Sequence, residues 1–121
     1  MKLRIKGNTV RLRLSKPEVE LLSAQGMIKE QTNFGNTSFM YSIQKEVNGN
    51  QLRADFKNDA LTVYMPESLL TGWSTNNTIG FDNKQPGDPI PGLYILVEKD
   101  FKCIDNSTED QRDNYENPKA C

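Results

Sequence analysis

In the stretch KLRIKGNTVRLRL, Lys2, Arg4, Lys6, Arg11 and Arg13 alternate with aliphatic residues and no acid interrupts them. This arrangement can hold oxygen anions. A guanidinium presents a planar fork that grips a carboxylate or phosphate through two parallel hydrogen bonds, and an ammonium adds a compact point charge. Candidate counterparts stand near the other end of the chain, where Glu98 and Asp100 lie two residues apart and so on one face of a strand. Lys2, Arg4, Arg11 and Arg13 are the candidate anion-binding residues, with Glu98 and Asp100 as their acidic partners.

The cations need a hairpin to bring them together. Gly-Asn between alternating runs marks a two-residue loop, because such turns demand positive φ that these residue types tolerate. With Gly7 and Asn8 as the loop, Lys6 pairs with Thr9, Ile5 with Val10, Arg4 with Arg11, Leu3 with Leu12 and Lys2 with Arg13. Leu3, Ile5, Val10, Leu12 and Leu14 then share a face. A three-residue loop would set Ile5 and Leu3 beside Arg11 and Arg13, and a one-residue slip turns a whole apolar set to the wrong side. The preferred register places like charges directly opposite each other, which costs roughly 0.2–1 kcal/mol per pair. Three things can offset that cost: splaying into solvent, carboxylates of the same chain, or a bound anion.

Downstream, Ser15-Lys16-Pro17-Glu18 reads as a capping box with an early proline, and Gly26 stands where a helix stops, so a helix is expected over 16–25. From Met27 to Met65 the apolar residues recur every second position in four runs. They are separated by Gly35-Asn36, by Val47-Asn48-Gly49-Asn50 and by Asn58-Asp59. Short links between successive runs predict an antiparallel meander with one face covered. Pro66 to Trp73 suggests a second short helix, and a strand is expected over 77–81. The proline-rich DNKQPGDPIPG reads as an exposed loop. The run Leu93 to Val97 predicts a central strand over 92–101, buried on both faces. The expected class is α+β, mainly antiparallel, with two short helices. Whether the sheet curls toward a half-barrel is left open.

Composition narrows the function classes. At 121 residues the chain suits a single domain spanning 1–121, with an acidic tail over 105–121 that is either docked or partly disordered. Fifteen basic and sixteen acidic residues give a net charge of −1, which implies no bulk attraction to nucleic acid. No apolar run reaches the roughly 20 residues of a membrane helix, and the N-terminus lacks a signal-peptide pattern, so a cytoplasmic protein is expected. Histidine is absent, which removes the commonest general base and transition-metal ligand. Cys103 and Cys121 lack CxxC spacing and an activating histidine, and read as free thiols or as a disulfide tying down the tail. The segment DNSTEDQRDNYE lacks the glycine and ligand spacing of an EF-hand loop. No glycine-rich phosphate loop is present, and Trp73 reads as a core or rim residue. No cofactor is expected.

The segments RIKGN, RLRL, PEV, MPESL and VEKDFKC, with the closing NPKAC, resemble an uncharacterised bacterial family of about this length, a domain of unknown function. The resemblance spans the chain and implies a cytoplasmic stand-alone domain with no assigned activity. The alternating cations are similar to those of triphosphate-tunnel enzymes only in their alternation, since the Glu-x-Glu-x-Lys motif of those enzymes is missing. Two readings follow from the residues. In the first, the chain is a non-enzymatic binding or interaction module whose hairpin cations pair with its own C-terminal carboxylates. In the second, it is a phosphoanion-binding domain or metal-dependent phosphohydrolase in which the acids hold Mg²⁺. Assembly of copies through a strand edge is compatible with either.

Overall fold

The computed structural model describes residues 1–101, and expectations for Cys103, Cys121 and the acidic 105–121 segment lie outside them. The chain opens with β1 (Lys2–Lys6) and β2 (Thr9–Leu14), whose register matches the expected two-residue loop at every pair. Gly7 takes a φ of 55°, the conformation that recommends glycine there. Helix α1 (Lys16–Gln25) follows at once. Its capping box is complete: the Ser15 hydroxyl accepts from the Glu18 N–H, the Glu18 carboxylate accepts from the Ser15 N–H, and Gly26 closes the helix in the left-handed region.

The remaining elements are β3 (Met27–Asn33), β4 (Ser38–Glu46), β5 (Arg53–Lys57), β6 (Ala60–Pro66), the single turn α2 (Glu67–Leu70), β7 (Gly80–Lys84) and β8 (Tyr94–Lys99). They form two four-stranded sheets, ordered β1-β2-β8-β7 and β3-β4-β6-β5. No closed barrel forms among the described residues.

The expected meander is corrected in the second sheet. Strand β6 runs parallel to β4 and β5 lies outside it, so the order does not follow the sequence. Side-chain polarity accounts for the exchange. In β6, Leu61, Val63 and Met65 are buried and take the central slot, while β5 carries Arg53, Asp55 and Lys57 and suits an edge. The link 47–52 carries the chain past the vacant slot, and a tight turn returns it. In that turn Asn58 and Asp59 both adopt positive φ, 54° and 61°, as a primed hairpin turn requires.

Three further expectations shift. The last strand is central, but its burial alternates: Ile95 and Val97 are buried while Tyr94, Leu96 and Glu98 are half-exposed on the other side. It is therefore covered on one face and not on both. The strand expected over 77–81 lies at Gly80–Lys84, which draws Asp82, Asn83 and Lys84 out of the expected loop. The second helix stops at Leu70. Trp73 beyond it is fully buried, edge-on to Phe81 at a centroid distance of 5.3 Å, and its ring N–H donates to the Thr78 carbonyl at 2.9 Å.

The inner faces of the two sheets share one core. Val10, Leu12 and Leu14 of β2 and Ile95 and Val97 of β8 cluster with Ile43 of β4 and with Leu61, Val63 and Met65 of β6; Val19 and Leu22 of α1 close the cluster. The sheets are also tied by hydrogen bonds along one edge. The buried Gln85 amide accepts from the Ala54 N–H at 2.7 Å and donates to the Ala54 carbonyl at 3.3 Å, and Asn83 donates to the Leu52 carbonyl at 2.7 Å. Gln85 thereby satisfies backbone groups that β5, as an edge strand, would otherwise leave unpaired.

Candidate functional site

With the core side of the first sheet occupied by aliphatic residues, strand alternation sends every second residue outward. The pairings of β1, β2, β8 and β7 arrange those outward residues in three rows across the four strands. The first row reads Lys6, Thr9, Tyr94, Lys84; the second Arg4, Arg11, Leu96, Asp82; the third Lys2, Arg13, Glu98, Gly80. Five of the six cations on this lattice come from the hairpin. The parallel pairing of β2 with β8 is what brings Glu98 beside Arg13.

Glu98 serves two arginines. Its Oε1 accepts from Arg13 Nε at 2.8 Å and lies 3.3 Å from Arg11 Nε, with only 15% of its side chain exposed. Asp100, one residue past β8, meets Lys2 Nζ at 2.9 Å. Its own N–H donates to the Leu14 carbonyl at 2.8 Å, which holds the end of β8 against β2. A carboxylate shared between two guanidinium groups offsets the repulsion that the hairpin register creates. Arg4 occupies the middle row on the outer strand, opposite Arg11.

Several residues of this face were missed in the sequence. Asp82 accepts a hydrogen bond from the Tyr94 hydroxyl, and that bond, more than burial, holds the Tyr94 phenol above its ordinary pKa; the Arg11 charge works weakly against it. Gly80 stands opposite Glu98 with no room for a side chain. The even spacing of Tyr94, Leu96 and Glu98 was a usable signal for Tyr94. Asp82 and Lys84 were hidden because β7 begins three residues later than its pattern suggested and runs on into the expected loop; Gly80 lay within the expected strand, but its place opposite Glu98 depends on the pairing of β7 with β8.

A separate polar cluster lies at the N-terminus. The Met1 amine pairs with the Glu18 carboxylate and lies 3.4 Å from Glu30, while the Tyr41 hydroxyl donates to the Met1 carbonyl at 3.1 Å. Burial pushes the Glu18 carboxyl up, but hydrogen bonds from the amine and from Ser15 outweigh it, leaving the group below its ordinary value.

A cavity of about 260 Å³ opens beyond the end of β8, floored by Leu14 and Val19 and rimmed by Lys16, Lys99 and Asp100. Lys2, Arg4, Arg11 and Arg13 do not line it. Among the described residues, no group of three or more histidine, cysteine, aspartate or glutamate side chains is placed to hold a metal ion. No described helix is long and apolar enough to cross a membrane.

Comparison with known proteins adds a family without an activity. The family described as a family of unknown function, DUF7009, matches residues 1–119. No curated protein and no solved structure matches the chain.

Proposed function

Because the chain belongs to this family of unknown function, we propose from its own surface that it is a non-enzymatic interaction module. The outer face of its first sheet is the recognition surface, and its partner is an acidic polypeptide. The observation that carries this reading is the Glu98 carboxylate shared by Arg11 and Arg13. Its Oε1 lies within 3.3 Å of the Nε of both guanidinium groups. Around them stand Lys2, Arg4, Lys6 and Lys84, so among the described residues the face carries six cations beside the carboxylates Glu98, Asp82 and Asp100. Cations spread over three rows of a sheet suit an extended chain bearing several carboxylates.

The same geometry weighs against phosphohydrolysis. The acids assigned to Mg²⁺ in that reading, Glu98 and Asp100, are engaged by Arg11, Arg13 and Lys2. Small-molecule chemistry also favours a concave site, and Lys2, Arg4, Arg11 and Arg13 do not line the cavity beyond the end of β8. A single domain over 1–121, stable without a metal, completes the proposal.

Titration of a fluorescent glutamate-rich peptide, beside tripolyphosphate with and without Mg²⁺, tests it. The account expects salt-sensitive binding of the peptide, weakened about tenfold or more when Arg4→Glu and Lys6→Glu are combined. Binding unaffected by that pair, or Mg²⁺-dependent turnover of tripolyphosphate, would overturn it.

A further inference from the structure

We propose that the acidic segment of the same chain, residues 105–116, docks on the outer face of the first sheet and competes there with an external partner. The inference rests on the reading of that face as an anion-recognition surface and names its resident occupant. Its first support is charge. Residues 105–116 contain Asp105, Glu109, Asp110, Asp113 and Glu116 against Arg112. The face they would meet gathers Lys2, Arg4, Lys6, Arg11 and Arg13 on adjacent strands.

The second support is where the chain leaves the fold. Strand β8 runs parallel to β2, so it ends at the row of Lys2 and Arg13, and Asp100 is fastened there by its ion pair with Lys2 and its hydrogen bond to Leu14. Five steps along the chain lead from Asp100 to Asp105, about 17 Å when extended at roughly 3.4 Å per residue. The four steps from Lys2 to Lys6 on β1 cover about 14 Å on the same scale. The tether therefore reaches all three rows without strain, and the four steps from Asp105 to Glu109 cover about the same 14 Å.

The third support is the tether itself. A short covalent link holds its segment at an effective concentration on the order of millimolar, so the resident acids outcompete a free acidic peptide of similar intrinsic affinity present at micromolar levels. Docking in this way lowers the apparent affinity for an external partner in proportion to the fraction of surface left open.

Zero-length carbodiimide coupling of carboxylates to amines on the full-length protein, followed by peptide mass analysis, tests the docking. The expected products are intramolecular links from Lys2 or Lys6 to Asp105, Glu109, Asp110, Asp113 or Glu116, lost in high salt. Links that join two molecules would assign the surface to a second copy and overturn the proposal. Coupling of tail carboxylates equally to Lys29 and Lys57 of the other sheet, or to no lysine, would overturn it as well. A full-length variant with Asp105→Asn, Glu109→Gln, Asp110→Asn, Asp113→Asn and Glu116→Gln should bind the glutamate-rich peptide about tenfold more tightly than the parent; unchanged affinity contradicts competition. If the cross-links form but the peptide binds neither protein, the docking stands and the external-partner reading falls. If the peptide binds both equally and no cross-link forms, the reverse holds.

Discussion

Gly80 and Glu98 face each other across β7 and β8 at a separation that admits no side chain on Gly80. A Cβ placed there would lie 2.5 Å from the Val97 carbonyl oxygen and 2.7 Å from the Glu98 Cβ. The glycine lets the two strands close up and seats the carboxylate that Arg11 and Arg13 share.

Gly80→Ala should therefore push β7 away from β8. The expected destabilisation is about 1–3 kcal/mol, the usual range for forcing volume into a packed site. Gly87→Ala, where nothing stands within 4 Å of the added atom, should remain within about 0.5 kcal/mol of the parent. Urea denaturation of both variants checks the contrast, and equal midpoints would refute the close-approach account.

Removing the shared charge while keeping its shape isolates electrostatics. Glu98→Gln leaves Arg11 and Arg13 adjacent without their common anion, and a loss of about 1 kcal/mol is expected at low salt. Screening should shrink the loss as ionic strength rises toward 1 M, where the Debye length falls to about 3 Å. Thermal denaturation across a salt series measures it. A loss independent of salt would point to packing.

Gln85 offers a test of how the sheets are joined. Its buried amide serves both the N–H and the carbonyl of Ala54, so Gln85→Leu strands two backbone groups at the edge of β5. Each buried, unsatisfied group costs about 1–3 kcal/mol. A fall in the denaturation midpoint equivalent to at least 1 kcal/mol is expected, with faster amide exchange at Ala54.

The N-terminal cluster predicts an acid-sensitive increment of stability. Despite the opposing effect of burial, the Glu18 carboxyl sits below its ordinary value because the Met1 amine and Ser15 hydrogen-bond to it. A depressed carboxyl contributes stability in full above its unfolded pKa, about 4.3, and loses it as pH falls through the lower folded value. Glu18→Gln can retain the capping box but not the charge. Its deficit relative to the parent should be constant near neutral pH and close below about pH 4. A deficit that persists at pH 2 would contradict the ion pair.

Local signals carried the parts of the fold that local chemistry decides. The hairpin register was legible because Gly7-Asn8 and the alternation of Ile5, Val10 and Leu12 agree, and helix α1 was legible from Ser15, Pro17, Glu18 and Gly26. The parallel pairing of β4 with β6 was not legible, since it is settled by competition between β5 and β6 for a central slot. Nor was the continuity of Leu93 to Val97 a sign of burial on both faces: Leu96 lies on the outer lattice between Arg11 and Asp82. At the candidate site, the pairing of cations with Glu98 and Asp100 was readable from charge complementarity. The roles of Gly80, Asp82 and Tyr94 depended on where β7 begins, and its irregular, polar approach left that start unmarked.

Backbone amide shifts during titration with the glutamate-rich peptide test the central claim most directly, that the outer face of the first sheet is the recognition surface. The account predicts perturbations concentrated at Arg4, Lys6, Thr9, Arg11, Arg13 and Glu98, with the second sheet unmoved. Shifts centred on Phe39 and Phe56 of the second sheet and on Phe34 in the turn between β3 and β4, or on the cavity beside Lys16 and Val19, would contradict it.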